Sequence, residues 1–307
     1  MSPLLAFTTG ILLGLLLPFL HRFVTSTKNL YTIDHAVLNL IPPSTLWMNF
    51  GLWDSSTSTL NAASTNLLRR LLHNAAIPAS SHILDLGFGC GDQSLHLLAL
   101  EENYTYTGIT LAPAQFEVAK SRLPEHTEKC RIFCADAARP ETWGSELLER
   151  VDLGTAKKKV DWVLALDCMY HFRPSREGIV AWAGARKTGF AAFDLLRREE
   201  LVGWDEVVLR VICWLAGIPW SNMVTVEEYK GILRKVGGFE VVEVEDVTES
   251  ALGGMARFVW RQDQELKRAG VRGGVGKYRA AGWLFGWLAR KGVLRACLVV
   301  ARRGKVE

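Results

Sequence analysis

The chain lacks the features that mark a metal protein, a disulfide scaffold or a disordered segment. Its six cysteines (Cys90, Cys130, Cys134, Cys168, Cys213, Cys297) are scattered along 307 residues, and no His or Cys cluster completes a metal site. Buried free thiols in a reducing compartment are therefore expected. There is no internal repeat and no low-complexity linker. Charged residues make up only 22% against 49% hydrophobic, which excludes a disordered, collagen-like or coiled-coil protein. The length suits one large domain or two small ones. Acidic residues are scarce near the C-terminus: residues 256–307 hold 3 of the 32 Asp+Glu but 13 of the 36 Lys+Arg, so the other 255 residues carry 29 acidic and 23 basic side chains. A basic C-terminal fifth suggests an anionic membrane or nucleic-acid contact.

Charge is missing at the N-terminus too. No side chain from Met1 to Leu20 is charged, and the run from Pro3 to Leu20 is mostly Leu, Ile, Phe, Ala and Gly. At about 1.5 Å per residue it barely spans a hydrocarbon core of ~30 Å, with Phe23 and Val24 extending it. A cleaved signal would show a basic start, a shorter apolar stretch and a small-residue cleavage site. Here Arg22 and Lys28 follow the run instead. An uncleaved anchor over residues 1–24 is expected, with the folded part on the cytosolic side of an internal membrane such as the endoplasmic reticulum. A cleaved signal and a buried or interfacial helix are the alternatives.

After a polar stretch ending in Pro42-Pro43 comes the aromatic segment LWMNFGLWD (46–54), then a helix-like pattern over 58–77. From there strands (82–86, 104–110, 130–135, 159–166, 189–196) alternate with helices (92–100, 112–122, near 143–151, 175–185). A helix over 224–237 and strands over 239–248 and 294–303 follow. This alternation predicts an α/β fold whose parallel sheet is covered on both faces. The expected division is an anchor at 1–24, a cap or lid at 25–80 and a main domain at 81–307, with 250–292 helical, basic and possible membrane-facing insertion.

The sharpest motif is HILDLGFGCGDQ (82–93): an apolar strand, then Gly87, Gly89 and Gly91, then a helix start. The glycines admit positive φ and close backbone approach to a ligand at the strand's carboxyl end. The spacing is D-x-G-x-G-x-G rather than the dinucleotide G-x-G-x-x-G. Asp85 would repel a pyrophosphate but can accept hydrogen bonds from an ammonium, which favours a nucleoside that bears an amino acid.

With YTGITLAPAQ (106–115), CADA (134–137) and LALDCMYHF (164–172), this turn resembles the class I S-adenosylmethionine-dependent methyltransferases. The tocopherol, sterol and cyclopropane-fatty-acid-like, small-molecule and lipid-acting branch is nearest in style. The resemblance covers residues 46–200 well, 222–248 passably and 294–303 as the closing antiparallel strand; it does not reach residues 1–40. It implies a seven-strand Rossmann-like sheet and S-adenosylmethionine as cofactor. Asp85, Gly87, Gly89 and Gly91 would form the cofactor turn. Thr110 and Gln115 would lie against the ribose, although the commoner pattern has an acidic residue where Thr110 stands. Asp136 would accept from the adenine amino group, with the Ala137 N–H near the ring. Trp47, Asn49 and Gly51, with Trp53, would form an aromatic lid over the sulfonium. In O-methyltransferases of this type, a His after the fourth strand acts as general base, with an acid at the end of the next strand. Those positions are His171 and Asp194 here.

The expected activity is methyl transfer to a small, lipophilic acceptor, with oxygen slightly favoured. Lipid C-methylation or cyclopropanation, and a membrane-bound cofactor-binding scaffold without turnover, are the alternatives. The mixture KYRAAGWLFGWLARKG (277–292) reads either as an interfacial membrane helix or as a helix over the acceptor pocket. No nucleic-acid partner and no metal are expected.

Overall fold

The computed structural model describes residues 43–124, 128–152, 159–268 and 276–304. Residues Pro43–Gln262 and Val275–Glu307 form one compact unit. Its strands are β1 (His82–Leu86), β2 (Thr105–Thr110), β3 (Cys130–Cys134), β4 (Trp162–Leu166), β5 (Gly189–Arg197), β6 (Val241–Asp246) and β7 (Leu294–Arg302). The helices are α1 (Leu60–Ala75), α2 (Asp92–Leu98), α3 (Pro113–Arg122), α4 (Ser145–Asp152), α5 (Glu177–Ala185), α6 (Trp204–Ala216), α7 (Val226–Lys235), α8 (Gly254–Arg268) and α9 (Gly276–Lys291). A second unit comprises residues 1–42 with Asp263–Gly274. Its described part is the end of α8, where Lys267 Nζ donates to Asp263 Oδ2 at 2.6 Å. The expected anchor at residues 1–24 lies outside the described residues. Among the described residues, no helix is long and apolar enough to cross a membrane.

The sheet order is β3-β2-β1-β4-β5-β7-β6. β1 to β5 pair in parallel, and β7 runs antiparallel between β5 and β6. Every residue of β1 and β4 is buried, as continuous apolar runs in a doubly covered parallel sheet require. Side-chain alternation sorts the core into two layers. One joins Ile83, Phe193 and Leu195 to Leu67, Leu71, Leu209 and Leu288; the other joins Leu84, Phe190 and Ala192 to Ile179, Tyr229 and Leu233. The helix α1 contributes three fully buried leucines to the first layer and so packs directly on the sheet.

The segment 277–292 does not lie wholly on the surface, and one expected pairing is absent. In the segment 277–292, Leu288 is buried, Trp287 packs on the core, and Phe285 meets Phe50 edge-on at 5.0 Å. Of its named apolar residues only Trp283 is exposed. The pairing of Asp194 with His171 is not formed either. Alternation turns Asp194 to the α5–α7 layer, where it is completely buried and accepts from Arg176 Nη1 at 2.5 Å and from the Leu195 N–H at 2.9 Å. Arg176 is itself 1% exposed and also donates to the Asn222 carbonyl, with the Tyr229 ring 4.7 Å from its guanidinium. Burial raises the Asp194 pKa and the Arg176 charge opposes that rise.

Removing one member of a buried ion pair strands the other, so Arg176→Leu is expected to cost about 3–5 kcal/mol of stability. Urea unfolding followed by circular dichroism measures it. An unchanged midpoint would show that the pair does not hold β5 to α5.

Candidate functional site

A cavity of about 560 Å³ opens at the carboxyl ends of β1, β2 and β4. Ligands of open α/β sheets bind at this edge. Its wall is built from the turn after β1, the ends of β2 and β3, the segment after β4 and residues 46–49.

The turn after β1 divides its glycines by task. Gly89 has φ +64 and nothing within 4 Å of where a Cβ would stand, so it leaves open cavity space. A Cβ on Gly87, at φ +71, would lie 2.8 Å from that of Cys168. Both line the cavity. Gly91 does not: it is the N-cap of α2 at φ +92, and its Cβ position is 3.2 Å from Ala119 of α3. Its role is helix packing.

Asp85 also departs from expectation. It shares the face of β1 that carries Ile83, and it is completely buried beneath α2. It accepts from Gln93 Nε2 at 2.6 Å and from the Tyr106 hydroxyl at 2.8 Å. Burial raises its pKa to about 8. Asp85 therefore does not line the cavity, whereas its partner Gln93 does.

Thr110 and Gln115 line the cavity together, with the Thr110 hydroxyl donating to Gln115 Oε1 at 3.3 Å. Asp136 and Ala137 line it as well. The Asp136 carboxylate is held by its own turn, accepting from the Ala138 N–H at 2.9 Å and from Arg139 Nε at 2.8 Å. A carboxylate accepts at about four lone-pair sites, so the side chain keeps capacity for a further donor.

The aromatic segment is fastened across the cavity by two carboxylates. The Leu46 N–H donates to Asp92 Oδ2 at 3.0 Å, and the Phe50 N–H donates to Asp167 Oδ2 at 2.9 Å. Asp92 is fixed by Arg122, whose Nη2 and Nη1 reach its oxygens at 2.7 and 2.9 Å. Trp47 and Asn49 line the cavity between these ties. Trp47 Nε1 donates to Asn61 at 2.9 Å, and Asn49 Oδ1 accepts from the Gly51 N–H at 3.0 Å. Gly51 itself turns the chain at φ +68, with its Cβ position 2.6 Å from that of Ala63, so it packs on α1 and stays outside the cavity. Trp53 stacks on Phe258 at 4.7 Å and closes the far end of the segment.

Asp167 carries the largest functional signal that motif reading passed over. It follows the apolar run of β4 directly, lines the cavity and adopts φ +65, an unusual conformation for a non-glycine residue and one often kept at functional sites. Its Oδ1 accepts from the Tyr170 hydroxyl at 2.8 Å. Burial raises its pKa to about 7, against the opposing hydrogen bonds from Tyr170 and Phe50. Asp92, Gln93, Tyr170 and Arg173 are further lining residues not singled out from the sequence.

His171 stands exposed at the cavity wall, its ring 4.5 Å from that of Tyr170. No described carboxylate hydrogen-bonds its imidazole. Partial desolvation, then the nearby charge of Arg173, lower its pKa. Among the described residues no group of three His, Cys, Asp or Glu side chains is placed to hold a metal ion.

No family model matches the chain. It is 25% identical over 233 residues to erythromycin 3''-O-methyltransferase of Saccharopolyspora erythraea, covering 73% of this chain and 72% of that protein. It is 27% identical over 210 residues to 27-O-demethylrifamycin SV methyltransferase of Amycolatopsis mediterranei, covering 66% and 71%. Among solved structures it superposes on the cyclopropane synthase MmaA2 from Mycobacterium tuberculosis with a TM-score of 0.60 at 16% identity, over 89% of this chain and 95% of that one. The chain thus has the Rossmann-like, seven-strand methyltransferase fold.

Proposed function

We propose that this protein transfers a methyl group from S-adenosylmethionine to the oxygen of a small, lipophilic acceptor. The observation that carries the reading is one cavity bringing together the open Gly89 turn, Thr110 with Gln115, Asp136 and the aromatic segment. The two curated relatives, both named as methyltransferases and one explicitly as an O-methyltransferase, support it. The residues suit the cofactor. Gly89, beside Gly87 on the cavity wall, leaves room for its amino-acid end, Thr110 and Gln115 offer hydroxyl and amide groups to a ribose, and Asp136 offers a carboxylate to adenine. Asp167 and the ring of Trp47 provide negative charge and π-density for a cation. When bound, the cofactor supplies an electrophilic methyl group on a sulfonium.

The protein's work is then alignment and proton removal. Methyl transfer is an in-line displacement, which rewards holding the acceptor in place and excluding water. The lid ties at Asp92 and Asp167 do this from the side of the chain's entry. An alcohol or phenol must also lose a proton, and neutral His171 is the cavity group with a free ring nitrogen to take it. It does so without Asp194, which is committed to Arg176. We also propose that residues 1–24 anchor the chain in an internal membrane with the catalytic domain on the cytosolic side, which suits a lipophilic acceptor.

The direct test is incubation of the purified protein with S-adenosylmethionine and cell extracts, with mass spectrometry for products gaining one methyl. Failure to bind S-adenosylhomocysteine by calorimetry, combined with no methylated product, overturns the reading. Gly89→Val places a side chain in the cavity and is expected to weaken that binding more than about tenfold, or about 1.4 kcal/mol. Unchanged affinity would move the cofactor away from this turn.

His171→Ala is expected to lower kcat by ~10²–10⁴-fold with cofactor affinity unchanged. Because its pKa lies below the usual histidine value, the acid limb of the wild-type rate should fall below about pH 6.5. Asp194→Asn should act through stability and leave that limb in place. A full-rate His171→Ala enzyme would contradict the assignment of the base.

A further inference from the structure

We infer that α6 is a bilayer-docking helix that sets the acceptor entrance against lipid. Its inward face is Leu209 and Cys213, which are buried in the sheet's first core layer. On the opposite face Trp204, Val207, Val211, Trp214 and Leu215 are 76%, 47%, 49%, 79% and 72% exposed. With 3.6 residues per turn these five fall within an arc of about 100°. No charged side chain lies inside it: Asp205, Glu206 and Arg210 sit at its flanks, and each is paired. Arg198 Nη2 reaches Asp205 at 3.0 Å, and Arg210 Nη2 reaches Glu206 at 2.7 Å. A contiguous apolar face of this kind marks an interaction surface.

Three observations select a lipid surface as the occupant. The exposed arc carries a tryptophan near each end, the side chain most suited to a membrane–water boundary. The N-terminal run is tethered to the folded domain by a short stretch: residues 25–42 separate it from Pro43. Eighteen residues reach at most about 65 Å when fully extended, so an anchored run holds the folded domain near the bilayer. Finally, α6 adjoins the cavity. Its C-cap Gly217 presents its carbonyl to Arg173 Nη2 at 3.1 Å, and Arg173 lines the cavity beside His171. An acceptor dissolved in lipid would thereby meet the cavity with little exposure to water. Because the flanking charges are paired, docking is driven by apolar burial and resists salt. The inference rests on the membrane reading proposed above.

The test uses the full chain reconstituted into phosphatidylcholine vesicles, with plain or brominated acyl chains, at high salt. Residues 1–24 contain no tryptophan, so quenching by bromine cannot report the anchor. Flotation reports the anchor, and quenching reports the folded domain. The expected result is flotation together with a bromine-dependent loss of emission. That loss should diminish sharply in Trp204→Phe/Trp214→Phe. Val207→Glu/Val211→Glu, at positions already facing water, should abolish the α6 share while leaving S-adenosylhomocysteine binding intact.

Flotation without quenching overturns the docking helix and leaves the anchor standing. No flotation overturns both. Quenching that survives both double variants assigns the lipid contact to another face, and a dimer dissociated by Val207→Glu/Val211→Glu assigns α6 to a second copy. Either result overturns the inference.

Discussion

The cavity depends on two carboxylates that hold an extended segment across the edge of a sheet. Asp92 and Asp167 accept the Leu46 and Phe50 amides, and those two hydrogen bonds place Trp47 and Asn49 over the ends of β1 and β4. Hydrogen bonds to charged acceptors are roughly twice as strong as neutral ones, and an unmet buried carboxylate is costly. The segment is thus fixed at both ends by groups that need it. Asp92 is paired with Arg122 at 2.7 Å. Asp167 has no such cation, and burial keeps its pKa near 7.

Two buried carboxyls, Asp85 and Asp194, and the half-buried Asp167 lie near the carboxyl ends of β1, β5 and β4. Each has its pKa raised by burial, and the Asp194 charge raises that of Asp167 further. Asp194 has Arg176 as a partner. Asp85 is satisfied by Gln93 and Tyr106 and kept from the cavity. Asp167 faces the cavity, lacks a cation of its own, and is the group most responsive to a positive ligand. Its folded pKa exceeds the unfolded value, so without ligand its contribution to stability is lost as pH rises from about 4 through 7.

Much of this was legible in the sequence. The alternation of strands and helices and the glycine turn follow from local pattern, and the strands fall within a few residues of their expected bounds. Thr110, Gln115, Asp136, Trp47 and His171 were expected at the cavity and line it. The failures share a physical cause: spacing along a strand does not say which layer a side chain faces. Asp85 and Asp194 sit near strand ends as motif residues should, yet alternation directs both into the core. Asp167 passed unnoticed because its left-handed backbone, which turns it into the cavity, has no signature in an Asp residue. α6 was missed for another reason. Its apolar residues occupy two opposite faces, Leu209 and Cys213 inward and Val207, Val211 and Trp214 outward, so no single amphipathic stripe stands out.

The central claim is that Asp167 both ties down the lid and meets a cationic cofactor. A cation nearby favours the ionised carboxylate, so binding should release a proton where the free group is partly protonated. Calorimetry of S-adenosylmethionine binding near pH 7, in buffers of different ionisation enthalpy, measures that release directly. The account predicts net proton release, affinity rising with pH from 6 to 8, and loss of both effects in Asp167→Asn. Binding with no proton exchange in the wild type, or proton release that persists in Asp167→Asn, would contradict it.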